Sequence, residues 1–169
     1  MILHIYTVIH TLISLIAIFT GLIVVFGMIG GNRLDGWTKW FLITAVLTTA
    51  TGFFFPFHGF TPAIGLGIIS LPFLALTIFA RCSKQLAGAW RWIYVIGAVI
   101  CLYFNLFVLV VQSFEKVPAL RAIAPTQKEP PFAIAQITVL VVFVGLTILA
   151  AKRFRPTPAP VAKSASKAA

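Results

Sequence analysis

Apolar positions in this chain come in long runs, with polar residues confined to short breaks. The run lengths predict helices that cross a bilayer, because a spanning helix needs about 20 mostly apolar residues at roughly 1.5 Å each. Leu3 to Asn32 contains no Lys, Arg, Asp or Glu; Trp40 to Ala80 runs 41 residues without a charge, Trp92 to Phe114 runs 23, and Pro130 to Ala151 runs 22. As one straight helix the second run would be about 60 Å long, twice the hydrocarbon thickness. Its middle reads Phe55-Pro56-Phe57-His58-Gly59-Phe60-Thr61-Pro62, where two prolines and a glycine break helix propagation. That stretch is therefore a helical hairpin. The pattern predicts an all-α integral membrane protein, a five-transmembrane-helix bundle over residues 1–151 with spans near 3–29, 38–56, 61–80, 90–113 and 132–151.

The first run lacks the basic leader, the short apolar core and the small-residue cleavage site of a signal peptide, so it is expected to stay on the mature chain. Residues 152–169 have no apolar period and predict a disordered basic tail.

Composition agrees with the membrane reading. The chain is 60% apolar and 9% charged, with a mean hydropathy of +1.06, too little polar surface for a soluble domain. Thirteen Lys and Arg against three acids give a formal charge of +10. In a soluble protein that excess would suggest nucleic acid; here it sorts by side. Five spans gather Arg33, Lys39, Arg81, Lys84, Arg91, Lys152, Arg153, Arg155, Lys163 and Lys167 on one face, leaving Lys116, Arg121 and Lys128 on the other. The positive-inside rule then predicts the N-terminus outside and the C-terminus cytoplasmic. A four-span arrangement would split the 30–37 and 81–89 loops between faces and blur that bias. Trp37, Trp40, Trp90 and Trp92 fall at the cytoplasmic ends of spans, where indoles favour the headgroup layer. The expected partners are the lipid bilayer, including anionic lipid at the tail, and other membrane subunits, with no nucleic acid. Size and topology suit the inner (plasma) membrane of a bacterium.

Polar groups inside lipid have to face other helices or a cavity, so their positions mark where chemistry can sit. At about 100° per residue, Thr7, His10, Thr11, Ser14, Ala17 and Gly21 share one side of the first span. Thr44, Thr48 and Thr51 align in the second, and Tyr94, Gly97, Cys101, Asn105, Gln112 and Glu115 in the fourth; the fifth offers Gln136 and Thr147. By helical rise, His10, Thr48, Thr51, Asn105 and Gln136 lie roughly 6–12 Å below the outer surface. Few strongly polar groups are expected to face inward in the cytoplasmic half. Thr7, Thr48, Thr51, Asn105, Gln112 and Gln136 are therefore candidate lining for a polar pocket, or else interhelical glue contributing about 0.6 kcal/mol each. Cys82 and Cys101 differ in depth by some 15–18 Å and are expected to be free thiols.

The three histidines, His4, His10 and His58, all fall in the outer half, and imidazole is a common metal and haem ligand. His4 and His58 lie at similar depth near the outer rim, whereas His10 is about 9 Å deeper than His4. They are candidates for one b-type haem or a quinone; a two-haem path is excluded by count. A metal site would draw on His4, His58 and Glu115 or Glu129, although no ligand motif frames them. The 114–131 loop contains a short amphipathic stretch, 117–124, and either caps the outer end or serves as a plain connector. No nucleotide loop, nucleophile–base pattern or phosphate-binding glycine motif occurs. The expectation is a non-enzymatic membrane protein, an accessory or assembly subunit or a small binding protein. The alternatives are a redox protein with one haem or quinone near the outer face, or a carrier for a small solute.

Overall fold

The computed structural model describes residues 2–55 and 62–155, and every regular element among them is a helix. In chain order these are α1 (Ile2–Ile29), α2 (Asp35–Gly52), α3 (Pro62–Cys82), α4 (Trp90–Lys116), the short α5 (Pro118–Ile123) and α6 (Pro130–Arg153). Four of the five long helices, α1, α3 from Ile64, α4 and α6, are long and apolar enough to cross a membrane. The protein is thus an all-helical integral membrane protein. The exception is α2, whose 18 residues include Asp35, Lys39, two glycines and five threonines. Its place among the spans is taken up below.

Several boundaries differ from those the run lengths suggested, each for a local reason. α2 begins at Asp35 rather than 38, because an acid in the first turn complements the helix N-terminus, and it stops at Gly52 rather than 56. α4 continues to Lys116, where Pro118 forces Val117 into extended backbone (φ −87°, ψ 115°) and ends the helix. α6 opens on Pro130 and Pro131, which surrender N–H groups that have no helical partner there. Of the tail, 156–169 lie outside the described residues, as does His58 in the turn between α2 and α3.

α4 is the central element and touches every other helix. It runs antiparallel to α3, where Phe79 meets Trp90 and Phe73 meets Phe104, and to α6, where Phe114 meets Phe132 and Tyr94 meets Phe154. α1 pairs most extensively with α2 and also lies against α4 and α6. Two glycines make these approaches close enough. A Cβ on Gly21 would sit 2.7 Å from Leu102 and 2.8 Å from Phe41, so α1, α2 and α4 converge on a position that admits no side chain. A Cβ on Gly97 would collide with the Thr77 hydroxyl, which seats α3 on α4.

The core that results is apolar and lies toward one end. Val24, Val25, Met28, Phe41, Val95, Leu102 and Phe154 are all essentially inaccessible. That end carries the α1–α2 and α3–α4 turns and the C-terminus of α6, and with them Arg33, Lys39, Arg81, Lys84 and Arg91; it is called the basic end here. The opposite end, with the start of α1, the end of α2 and α5, is called the His10 end. Cys82 is exposed and Cys101 buried, and both are free thiols.

Candidate functional site

Two polar stations stand out from the apolar packing, one at each end. At the His10 end the α1 and α2 stripes meet. His10 Nδ1 lies 2.8 Å from Thr51 Oγ1, and the Tyr6 hydroxyl donates to the Thr51 carbonyl at 2.5 Å. Phe55 sets its ring edge-on to both, at 4.9 Å from Tyr6 and 5.1 Å from His10 between centroids. One turn of α1 thus grips the last turn of α2 through two hydrogen bonds and two ring contacts. The helical repeat explains why Tyr6 and His10 share a face: they are four residues apart.

The antiparallel register set by His10–Thr51 and Gly21–Phe41 puts Thr48 level with Ser14. Ser14 donates to its own backbone, to the His10 carbonyl at 2.8 Å. Thr48 Oγ1, by contrast, is sealed from solvent and meets no partner among the described residues, whereas Thr44, Thr49 and Thr51 on the same helix all donate back to the preceding turn. The seam between α1 and α2 therefore holds an unused hydroxyl just below the histidine.

The other candidate residues divide between glue and surface. Thr7 donates to Leu3 O on its own helix. Asn105 Nδ2 donates to the Cys101 carbonyl at 3.0 Å, also within its helix. Gln136 Nε2 donates to Phe107 O at 3.2 Å and so ties α6 to α4, while its Oε1 is buried without a partner. Gln112 is half-buried on α4. Those residues lie along several helix seams and do not converge with His10 on one enclosed pocket. His4 is exposed on α1, apart from the station. Among the described residues no group of three or more His, Cys, Asp or Glu is placed to hold a metal. Glu129 is instead engaged at the start of α6, accepting from the Thr126 hydroxyl at 2.8 Å and from the Lys128 and Thr126 N–H groups. Partial desolvation pushes that carboxyl up, but these donors outweigh it and hold it below its ordinary value. The loop before it folds back on the bundle, with Ala124 buried and the Gln127 side chain donating to Val111 O at 3.1 Å.

The basic end holds the station that the polar pattern did not anticipate, since little inward polarity was expected there. Arg81, at the end of α3, is buried, and it pairs with Asp35 at the start of α2. It also reaches the Tyr94 hydroxyl at 3.5 Å and stacks 5.6 Å over that ring. Tyr94 passes the chain on to Thr38 at 3.4 Å, and Arg33 adds a second ion pair to Asp35 at 2.9 Å. Three helices are joined by one guanidinium. Nearby, Arg91 Nη1 donates to the Phe154 carbonyl, closing the end of α6 onto α4. Charge tallies treat Arg81 as a topology marker only. The available signal was Asp35, a lone acid on a face with ten bases, which no burial of a neighbouring arginine could leave unpaired.

Comparison with protein-family models, curated proteins and solved structures returns no match for this chain. The basic-end network is satisfied within itself, each member spent on another. The His10 station is not: it combines a histidine with one ring nitrogen unengaged, an aromatic wall and a sealed hydroxyl in the same seam.

Proposed function

We propose that this chain is a small, non-catalytic membrane binding protein of five spans, with α2 crossing the bilayer beside α1. The charge sorting supports an N-terminus outside and a C-terminus in the cytoplasm, and size and topology would suit the inner membrane of a bacterium. The observation that carries the reading is the His10–Thr51–Tyr6–Phe55 station. A polar cluster held this closely in an apolar wall orients one imidazole, and imidazole oriented inside a membrane is a ligand-binding group by default. A quinone-type ring or one b-type haem is the class of ligand that such a nitrogen takes from the bilayer. α2 suits the fifth span because three of its five threonines, Thr44, Thr49 and Thr51, are satisfied by their own backbone and its Asp35 by arginines.

The test is to purify the chain from its own membranes in mild detergent, record an absorption spectrum and extract bound small molecules. A stoichiometric ligand that is lost in His10→Asn supports the reading. A folded preparation that carries nothing, and whose histidine signals respond to no added quinone, quinol or haem, overturns it.

An accessory subunit is the second reading, and one residue favours it. Tyr103 sits at mid-length of α4 beside an apolar groove lined by Val99, Leu140, Phe143 and Thr147, and its hydroxyl meets no partner among the described residues. A phenol at that height in lipid is served by an acceptor on another protein. A photocrosslinker at position 103 that captures one specific membrane protein supports this; capture of lipid alone counts against it.

A further inference from the structure

The hydrogen-bond geometry of Thr51 determines which nitrogen of His10 carries the proton. Thr51 Oγ1 lies 2.6 Å from the Leu47 carbonyl, a distance at which two oxygens repel unless a proton lies between them. A threonine hydroxyl has one proton to give, and it is spent on Leu47. Towards His10, 2.8 Å away, Thr51 can only accept. His10 Nδ1 must therefore donate, and the neutral imidazole is the Nδ1–H tautomer. Its other nitrogen, Nε2, then carries a lone pair. Among the described residues no donor meets Nε2, and it is not sealed in the way Thr48 Oγ1 is. Gly52 leaves the adjoining ring edge uncovered: a Cβ there would stand 3.8 Å from His10 Cε1.

We propose that Nε2 of His10 is the acceptor of a binding site for a membrane-dissolved aromatic alcohol, a hydroquinone or similar phenol, and that it discriminates against the oxidised quinone. This rests on the ligand-binding reading of the His10 station and adds the chemistry of its ligand. Three features select that chemistry. A lone pair in a low-dielectric seam takes a hydroxyl proton and repels a carbonyl oxygen. Tyr6, the nearby donor that could have served a carbonyl, spends its proton on the Thr51 backbone. Phe55, edge-on to the imidazole, supplies an aromatic surface against which a ring packs. No bond is made or broken covalently; the step is the exchange of an unpartnered acceptor for a hydrogen-bonded one.

The test uses the full chain with 15N-labelled histidine in lipid nanodiscs, titrated with decyl-hydroquinone and separately with the matching decyl-quinone. The expected result is a protonated Nδ1 and an unprotonated Nε2 before addition, followed by a shift of the Nε2 signal with the hydroquinone. The reduced form is expected to bind about tenfold tighter than the oxidised one, the ratio for one hydrogen bond near 1.4 kcal/mol. His10→Asn, which keeps a donor towards Thr51 but removes Nε2, is expected to fold and to abolish binding. Gly52→Val, which covers the ring edge, is expected to weaken it while leaving the tautomer alone. A protonated Nε2, or equal binding of both redox forms at His10, overturns this inference but leaves a His10 site standing. Saturable haem or metal binding at His10 with no response to hydroquinone overturns it in the same way. No perturbation of His10 by hydroquinone, quinone, haem or metal overturns both.

Discussion

At the basic end Phe41, Tyr94 and Phe154 are enclosed on all sides, and a buried arginine joins α2, α3 and α4. At the His10 end Tyr6, His10 and Phe55 are half-buried, Phe53 and Phe54 lie exposed, and two polar atoms, Thr48 Oγ1 and Gln136 Oε1, are shut in without partners among the described residues. Both ends use interhelical hydrogen bonds, yet to different effect. At the first, each group is used up by its neighbours, which holds the helices in one arrangement. At the second, the groups are positioned but not all of them are partnered among the described residues. On the proposed reading, stability and binding are lodged in opposite halves of one bundle.

Substitutions separate the two. The largest effect is expected from Phe41→Ala, which opens a cavity where α1, α2 and α4 converge and should cost about 3–5 kcal/mol. It is read as a fall in the unfolding midpoint in detergent, and a loss under about 1 kcal/mol would mean that this end is no tighter than the other. Asp35→Asn should cost about 1–3 kcal/mol, because it leaves the Arg81 guanidinium without its main partner. That penalty should largely vanish in an Arg81→Met background, a coupling that a double-mutant cycle measures. Thr51→Val should shift stability by less, about 1 kcal/mol. It should nevertheless free the His10 tautomer, which 15N spectra of the labelled histidine report. If Thr51→Val instead unfolds the bundle, the His10 end is structural and the contrast fails.

The smallest effect concerns the loop beside that end. The Glu129 carboxyl is held below its ordinary value near 4.5, so its contribution is present in full above that pH and is lost as pH falls through the lowered folded value. Glu129→Gln should remove this acid-side dependence, with a small loss of local stability at neutral pH, where the contribution is present, and none at low pH. Amide exchange across 126–132 on acidification measures it.

Run length alone revealed where the long helices lie, because an apolar stretch of 20 or more residues has few alternatives. The ends were less legible: Asp35 extends α2 backwards and α4 runs on to Lys116 until Pro118 ends it, and both residues act within a single turn. The site was legible by face and not by partner. Helical spacing put His10 and Thr51 on inward stripes and passed over Tyr6; a stripe says nothing of register, and His10 meets Thr51 across 41 positions of sequence. Arg81 and Asp35, 46 positions apart, were harder still. Counting charges by side hides a pair formed on one side, and only the burial of Arg81 reveals that it does more than mark topology.

The pairing of α1 with α2 bears on how the chain enters the membrane. On the five-span reading, α2 is the helix least able to partition into lipid by itself, since its 18 residues carry two charges and five hydroxyls. α1 comes before it in synthesis and presents the matching stripe, so the two are best inserted together, with α1 acting as the solvent for α2. A chain made without α1 should then leave α2 stranded at the surface, while the later helices, with two spans lost together, would keep the direction set by the bases of the 81–89 loop and the tail.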